Sequence, residues 1–337
     1  MINTLKSLCM LPGISSDEGA VRDFIIERAN MAGAIVEIDP MGNVLAFKKG
    51  KKNIGSPIML CAHMDEVGFM VTHIDDSGYL GFDSVGGIDP RVVMGKRVFV
   101  GKNHVPGVIG LKPPHLSVKK ERESVPELGN MLIDIGAESS EQAEKIVNIA
   151  DSVVFDSTIR ELGGDMIKAK AIDDRIGCAV MLTLMERDLP IDCHFVFTVQ
   201  EEVGCRGAAV AAFRLNPSIA LILEGTTAAD LPGVEAGRRV CCPGDGVVVP
   251  FMDRGTIYNR ELFTKITALA DSYGIRWQTK QLIAGGTDAQ TIQRSQSGVK
   301  TIALAIAVRN IHSAVSLANT RDMESMLRLT ELFLEDI

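Results

Sequence analysis

Two histidines and several carboxylates stand in five short motifs of this 337-residue sequence, and all are side chains that can bind transition metals. Imidazole nitrogens and carboxylate oxygens are the ligands that zinc, cobalt and manganese prefer. The motifs occupy residues 62–66, 171–175, 200–202, 223–225 and 310–313. Their candidate functional residues are His63, Asp65, Asp173, Glu201, Glu202, Glu224 and His312.

Four of the motifs follow short and almost continuous apolar runs. The runs cover residues 57–60, 195–199, 219–223 and 301–308, and such runs are typical of strands buried on both faces of a sheet. In open α/β sheets, ligands bind just beyond the carboxyl ends of these strands. Four strand ends that carry ligand groups therefore predict one metal site, assembled from distant parts of the sequence.

The pair His63 and Asp65 is the strongest indication, because an Asp two residues after a strand-end histidine can orient the imidazole for a metal. Glu201 and Glu202 are adjacent acids at the mouth of a buried strand, where they repel each other unless cations compensate them. One of them can bind a metal while the other acts as a general base. Asp173 also suits an ordinary helix start, since acids are favourable near the helix N-terminus.

Other polar groups are less informative by themselves. Glu224 would be an ordinary surface acid if no strand delivered it to the site. Residues 285–288 read Gly-Gly-Thr-Asp, a glycine-rich loop that caps a helix and either lines a cleft or only turns the chain. The remaining histidines are interpreted as structural or surface residues, and they are His73, His104, His115 and His194.

The composition excludes several classes of function. Hydrophobic residues at 46% and charged residues at 23% are ordinary for a soluble globular protein. A net charge of −8 argues against nucleic acid as a partner, because phosphate binding needs basic patches. The basic cluster at 112–122 is interrupted by two prolines and by acids, and this indicates a solvated loop rather than a phosphate site. No apolar run approaches the roughly 18 residues of a membrane span.

Seven cysteines at irregular spacing match no zinc-ribbon pattern. Several stand inside apolar runs, so we expect buried free thiols in a reducing compartment. The first residues carry one lysine and an apolar stretch broken by Pro12 and Gly13, which is not the pattern of a signal peptide. Together these features predict a cytoplasmic protein.

The pattern of polar and apolar residues predicts two kinds of structure in different parts of the chain. Residues 69–165 contain short alternating segments separated by turns, which indicate a small β-barrel or sandwich with one helix from Ser139 to about Ile149. Elsewhere strands alternate with helices, beginning with a helix that Ser15 and Glu18 would cap. Later helices are expected to start at Asp173 and to cover 260–273, 288–295 and 322–334. We therefore predict an α/β catalytic domain formed by residues 1–68 and 166–337, split by an inserted β module at 69–165.

Taken together, these motifs make the chain similar to the TET or glutamyl-aminopeptidase-like family of dinuclear metallo-aminopeptidases. This is metallopeptidase family forty-two, and some members are labelled cellulase M or endoglucanase. The resemblance covers essentially the whole chain, including the five motifs in order, the loop at 110–115 and the loop at 285–288. It implies a mixed-sheet α/β/α catalytic domain of the dinuclear zinc exopeptidase type, with an inserted small β-barrel that serves dimerisation.

By the same resemblance, each subunit holds two divalent metal ions, zinc or cobalt, with manganese as a further option. His63 and Glu224 bind one ion, Glu202 and His312 bind the other, and Asp173 bridges them. Glu201 is implied as the general base, and Asp65 as the residue that orients His63. The family more often has Asp where this chain has Glu224. Related dinuclear peptidases also imply a cis peptide bond between Asp173 and Asp174.

The implied activity is a metal-dependent aminopeptidase that releases N-terminal residues from short peptides by means of a metal-activated water. The implied partners are short peptides with a free N-terminus and further copies of the chain, in a dodecamer built from dimers, without nucleic acid or membrane. Alternatives are a binuclear deacylase or carboxypeptidase of related fold, a glycoside hydrolase, and a non-catalytic assembly protein. One Trp and three Tyr offer little surface for stacking sugars. The preferred N-terminal residue is left open, although four arginines could form a basic pocket: Arg238, Arg239, Arg254 and Arg309.

Overall fold

An eight-stranded mixed sheet forms the centre of the chain in the computed structural model, which describes residues 1–119 and 123–337. In spatial order its strands are β1 (Ile35–Ile38), β2 (Val44–Lys48), β12 (Cys193–Thr198), β3 (Ile58–His63), β13 (Ile219–Thr227), β16 (Lys300–Val308), β14 (Val247–Val248) and β15 (Trp277–Gln278). The middle strands β12, β3, β13 and β16 are mutually parallel. Their carboxyl ends therefore meet at one edge of the sheet, as the apolar runs predicted.

Helices cover the sheet in two groups, one on each face. The larger group packs around α4 (Ile172–Met185) and contains α1 (Ile2–Met10), α2 (Gly19–Met31), α6 (Arg260–Ser272) and α8 (Thr320–Asp336). The smaller group contains α5 (Arg206–Leu215) and α7 (Ala289–Ile292). Because both faces are covered, strand β3 is buried at all six positions, which explains why its sequence is continuously apolar up to His63. The predicted α/β/α architecture is confirmed.

A closed barrel of six strands forms the second unit. In order around the barrel its strands are β4 (Gly68–Ile74), β5 (Leu80–Val85), β8 (Met131–Asp134), β7 (Val105–Leu111), β6 (Arg97–Val100) and β9 (Ser152–Phe155). The barrel has its own core, in which Phe69 packs edge-on against Phe82 and Phe155. Of the two predicted architectures, the barrel is therefore the observed one. The division of the chain at 69 and 165 stays a prediction.

A small three-stranded sheet joins the segment that follows the barrel to the segment that follows β16. It consists of β10 (Arg160–Leu162), β11 (Met166–Ala169) and β17 (Ser316–Asn319). Ala169 of β11 pairs antiparallel with Ser316 of β17. This pairing brings the segment before Asp173 next to the segment after His312, two parts of the chain that are far apart in the sequence.

Several predicted helix boundaries are wrong. Helix α2 begins at Gly19 and Ser15 does not cap it, because the Ser15 hydroxyl donates to the Asp65 carboxylate over 2.6 Å. The helix expected from Ser139 to about Ile149 is only α3 (Ser140–Ala143), although Ser139 does cap it. Helices α1 and α5 were not predicted. Lys120 and Arg122 of the basic cluster lie outside the described residues, so the interpretation of that loop stays a prediction.

All seven cysteines lie in the described ranges, and none forms a disulfide. Six of them are buried and Cys242 is half-buried, which confirms the expectation of free thiols inside the protein. Within residues 1–119 and 123–337, no helix combines the length and apolar character needed to cross a membrane.

Candidate active site

Three of the four central parallel strands deliver candidate functional side chains at or just beyond their carboxyl ends. His63 is the last residue of β3, Glu201 follows the end of β12 by three residues, and His312 follows the end of β16 by four. The turns after these strands fold over the edge of the sheet, so the side chains converge. This is the arrangement that the strand-end motifs predicted.

Glu224 reaches the same edge in a different way. The apolar run predicts it at the end of a strand, but β13 continues through Glu224 to Thr227. Strand β3 pairs with β13 only as far as Ile222, whereas β16 pairs with β13 over its full length. Glu224 therefore lies beyond the point where β3 pairing stops, and its Oε1 is 3.2 Å from Nε2 of His63.

Asp173 lies between the two histidines. Its Oδ1 is 3.5 Å from Nε2 of His63, and its Oδ2 is 3.5 Å from Nε2 of His312. The Asp173–Asp174 peptide bond is cis, as expected, and both residues depart from helical backbone angles at the start of α4. Asp174 turns away and accepts hydrogen bonds from the backbone N–H of His63 and of Gly177. A carboxylate with one oxygen toward each histidine occupies the position that a bridging ligand needs.

The remaining candidate ligands complete two sets around Asp173. The first set contains His63 and Glu224, and the second contains His312 and Glu202, whose Oε2 is 3.3 Å from Nε2 of His312. Ligand atoms of His63, Asp173 and Glu202 also lie within 4.8 Å of one another. The structure thus brings together all five residues that the resemblance implied as metal ligands.

Both histidine rings are held so that Nε2 faces the carboxylates. Nδ1 of His63 is 3.0 Å from the carbonyl oxygen of Asp65, and Nδ1 of His312 is 2.7 Å from that of Gly87. A carbonyl can only accept, so Nδ1 carries the hydrogen and Nε2 is left for a cation. Gly87 follows β5 of the barrel, so the barrel unit supplies one support of the site that no sequence motif predicts.

Asp65 is completely buried and has a wider role than predicted. Its carboxylate accepts hydrogen bonds from the backbone N–H groups of Glu201 and Glu202, at 3.0 and 3.1 Å, besides the hydroxyl of Ser15. Its Oδ1 is 3.4 Å from Nδ1 of His63. Asp65 thereby fixes the ring of His63 and the loop that carries both glutamates.

The electrostatics of the cluster favour cations. Burial raises the pKa of Glu224 and of Glu201 well above the usual range, and it raises the pKa of Glu202 to about 7. Among the described residues, Oδ1 of Asp173 and Oε1 of Glu202 are buried without a hydrogen-bond partner. Buried carboxylates are costly unless they are paired or coordinate a metal. Nitrogen and oxygen donors, orphaned acids and oriented imidazoles together fit divalent metal ions.

A cleft of about 350 Å³ opens onto the cluster. The glycine-rich loop borders this cleft, because its residues Gly285, Gly286 and Thr287 line it. The four arginines proposed for a basic pocket all lie in the described chain, and none lines this cleft. Arg309 instead forms a two-pronged ion pair with Asp230, whereas Lys280 does line the cleft.

Comparison with known proteins agrees with this architecture. The family model of M42 glutamyl aminopeptidases matches residues 42–329. A putative aminopeptidase of Acetivibrio thermocellus is 38% identical over 333 residues, which cover 98% of this chain and 97% of the relative.

Solved structures agree as well. A TET aminopeptidase of a marine-sediment archaeon of the Thaumarchaeota is similar at a TM-score of 0.95 and 34% identity, over 100% of this chain and 96% of that one. A TET1 peptidase of Pyrococcus horikoshii, described as able to assemble into a tetrahedron or a large octahedral shell, gives a TM-score of 0.87 at 34% identity over 100% and 99% of the two chains. With its whole length and fold shared in this way, the chain belongs to the M42 glutamyl aminopeptidase family of peptide hydrolases.

Proposed function

We propose that this M42 aminopeptidase works with two divalent cations and releases single residues from the N-termini of short peptides. The observation that carries the proposal is the position of Asp173, with one carboxylate oxygen toward Nε2 of each of the two histidines. His63 and Glu224 would complete the coordination of one cation, and Glu202 and His312 that of the other. Zinc or cobalt, with manganese as a further option, suits this set of nitrogen and oxygen donors.

When bound, such cations supply Lewis acidity, which lowers the pKa of a water molecule and polarises a peptide carbonyl. The protein supplies the proton transfer. Glu201 places its Oε2 at 3.9 Å from Nε2 of His63, beside the cluster, while its backbone N–H is bonded to Asp65. From this position its carboxylate can take a proton from the attacking water and deliver it to the amine that leaves. Glu202, on the next residue, faces His312 instead.

Exo-specificity is expected from the charge of the cleft. Of the three glutamates that line it, Glu202 and Glu224 would be neutralised by the cations, and Glu201 is left to attract the cationic α-amine of a peptide. We therefore expect N-acetylation of a short peptide to abolish cleavage, because it removes that positive charge, whereas C-terminal amidation should leave cleavage intact. The measurement is mass spectrometry of the products from the free, N-acetylated and amidated forms of one peptide. Cleavage of the free and acetylated forms at similar rates, or internal cuts, would identify an endopeptidase or deacylase; loss of cleavage on amidation would identify a carboxypeptidase.

For the quaternary structure we propose dimers that build a hollow dodecamer, with the barrel unit as the dimerisation element. Support comes from the family relationship and from the assembling TET1 peptidase. Light scattering at micromolar concentration is expected to give the mass of twelve subunits, and an intact folded protein should resist degradation because it cannot reach an enclosed site. A fully active monomer would contradict the assembly, whereas a stable active dimer would contradict only the cage.

The free thiols of all seven cysteines also support a reducing location, and we propose the cytoplasm. Nucleic acid and membrane have no part in the proposed function.

A further inference from the structure

Glu201 has a second set of neighbours on the side away from the histidines. Its Oε1 accepts a hydrogen bond from the thiol of Cys205 over 3.2 Å, while its Oε2 faces His63. Ligand atoms of Glu201, Cys205 and Asp288 all lie within 4.8 Å of one another. Glu201 therefore lies between the proposed two-metal centre and this cluster, whose other members, Cys205 and Asp288, take part in no step of the proposed mechanism.

Asp288 is the least satisfied member of the cluster. It is only 1% exposed, and its Oδ2 accepts from the hydroxyl of Thr198 over 2.5 Å and from the thiol of Cys61 over 3.7 Å. Within the described chain, its Oδ1 is buried and has no hydrogen-bond partner. An orphaned carboxylate oxygen beside the half-buried carboxylate of Glu201 favours a bound cation, since isolated buried charge is costly. Burial also raises the pKa of Asp288 to about 6.

We propose that Glu201, Cys205 and Asp288 form a third cation site, which takes a thiophilic divalent ion such as zinc or cadmium and inhibits the enzyme. A tetrahedral zinc ion holds a sulfur and an oxygen ligand about 3.5 Å apart, as its bond lengths of about 2.3 and 2.0 Å require. The separation of 3.2 Å between Sγ of Cys205 and Oε1 of Glu201 is close to that value. A thiolate distinguishes this site from the two-metal centre, whose five proposed ligands are imidazoles and carboxylates.

The surroundings of Cys205 suit a thiolate that binds metal. Burial raises the pKa of its thiol, so the sulfur keeps its proton until an incoming cation displaces that proton to solvent. The side-chain amide of Gln290 donates to the sulfur over 2.9 Å and can stay there when the sulfur becomes anionic. Glu201, Cys205 and Gln290 all border the cleft, so an ion can enter by the route that substrate uses.

Inhibition follows if Glu201 is the base, and to that extent the inference rests on the proposed function. A cation bound to Oε1 would hold the Glu201 carboxylate in the third site, so that the carboxylate could no longer serve the attacking water as its base. Excess metal would then suppress the activity that the first two ions support.

The test uses cadmium added to holoenzyme that is already loaded and active. We expect one additional ion per subunit by elemental analysis, together with the ultraviolet charge-transfer band of a cadmium–thiolate bond. The band and the loss of activity should share one titration midpoint.

Cys205→Ser should abolish the band and weaken inhibition about tenfold or more, relative to the uninhibited rate of that variant. Asp288→Asn should keep the band but shift its midpoint to higher cadmium concentration. Cys242→Ser replaces a half-buried cysteine outside the cluster and is the matched control, which should behave as wild type.

Two results would overturn the third site. One is inhibition of wild-type holoenzyme by cadmium without a thiolate band, and the other is a band that persists in Cys205→Ser. If Cys205→Ser fails to fold, the third site is still tested by the cadmium–thiolate band of the wild type and by the shift of its midpoint in Asp288→Asn. A band that depends on Cys205 in a loaded protein that hydrolyses no peptide would refute the proposed function, while the cation site would stand.

Discussion

Replacement of Glu201 by glutamine is expected to lower kcat by roughly two to four orders of magnitude, the range that follows loss of a general base. The amide has nearly the same shape as the carboxylate but cannot take a proton from water. The backbone N–H of Glu201 would still donate to Asp65, so the loop and its neighbour Glu202 should keep their positions. Metal content should therefore stay near the wild-type level, and elemental analysis together with steady-state kinetics measures both quantities.

Glu202→Gln is the informative comparison, because its side chain faces His312 at 3.3 Å and is proposed as a ligand. This variant should lose metal, and its activity should recover in part at high metal concentration. Glu27→Gln, on the exposed side of α2, controls for the loss of one acid from the surface. The opposite outcome, metal loss in Glu201→Gln and a metal-replete but slow Glu202→Gln, would exchange the two roles.

Removal of metal by a chelator is expected to reduce peptidase activity to background, and zinc, cobalt or manganese should restore it. The same treatment should lower the unfolding temperature, because any ligand that binds the folded state stabilises it. Without cations, the acids around Asp173 are left buried and uncompensated, two of their oxygens having no hydrogen-bond partner in the described chain. Activity and thermal unfolding of the same samples measure the two effects.

Chelator that is first saturated with the restoring metal is the control, and it should change neither quantity. Full turnover by protein that elemental analysis shows to be free of metal would contradict a metal-dependent mechanism. An unchanged unfolding temperature, with activity lost, would mean that the cations serve catalysis without stabilising the fold.

The site was predictable from sequence where its residues lie at strand ends. A strand buried on both faces has to be apolar, so the first polar residue after it is conspicuous, as His63 is after residues 58–62. Parallel strands bring such ends to one edge, so a shared location could be inferred before any coordinates. The barrel was predictable for a related reason, since short strands and turn residues leave a regular pattern.

Other features leave no local trace in the sequence. Glu224 is in the middle of a strand, two residues beyond Ile222, the last residue of that strand that pairs with β3. Ser15 has the position of a helix cap but donates to Asp65 instead, a contact between residues 50 positions apart. The contact of His312 with the carbonyl of Gly87 spans 225 positions. The order of polar and apolar residues along a strand or helix indicates which residues are buried. The contacts of Glu224, Ser15 and His312 depend instead on which strands, helices and loops pack against each other.

The sequence by itself determined the chemical nature of the site: imidazoles and carboxylates, delivered by buried parallel strands, with a β-rich unit inserted between them. Only the tertiary structure decided the arrangement of these groups. It placed Asp173 between the two histidines, oriented both rings through backbone carbonyls, and put Cys205 and Asp288 against Glu201. The reason is physical, because strand patterns follow from local burial, while distances between side chains follow from how the sheet, the helices and the barrel pack together.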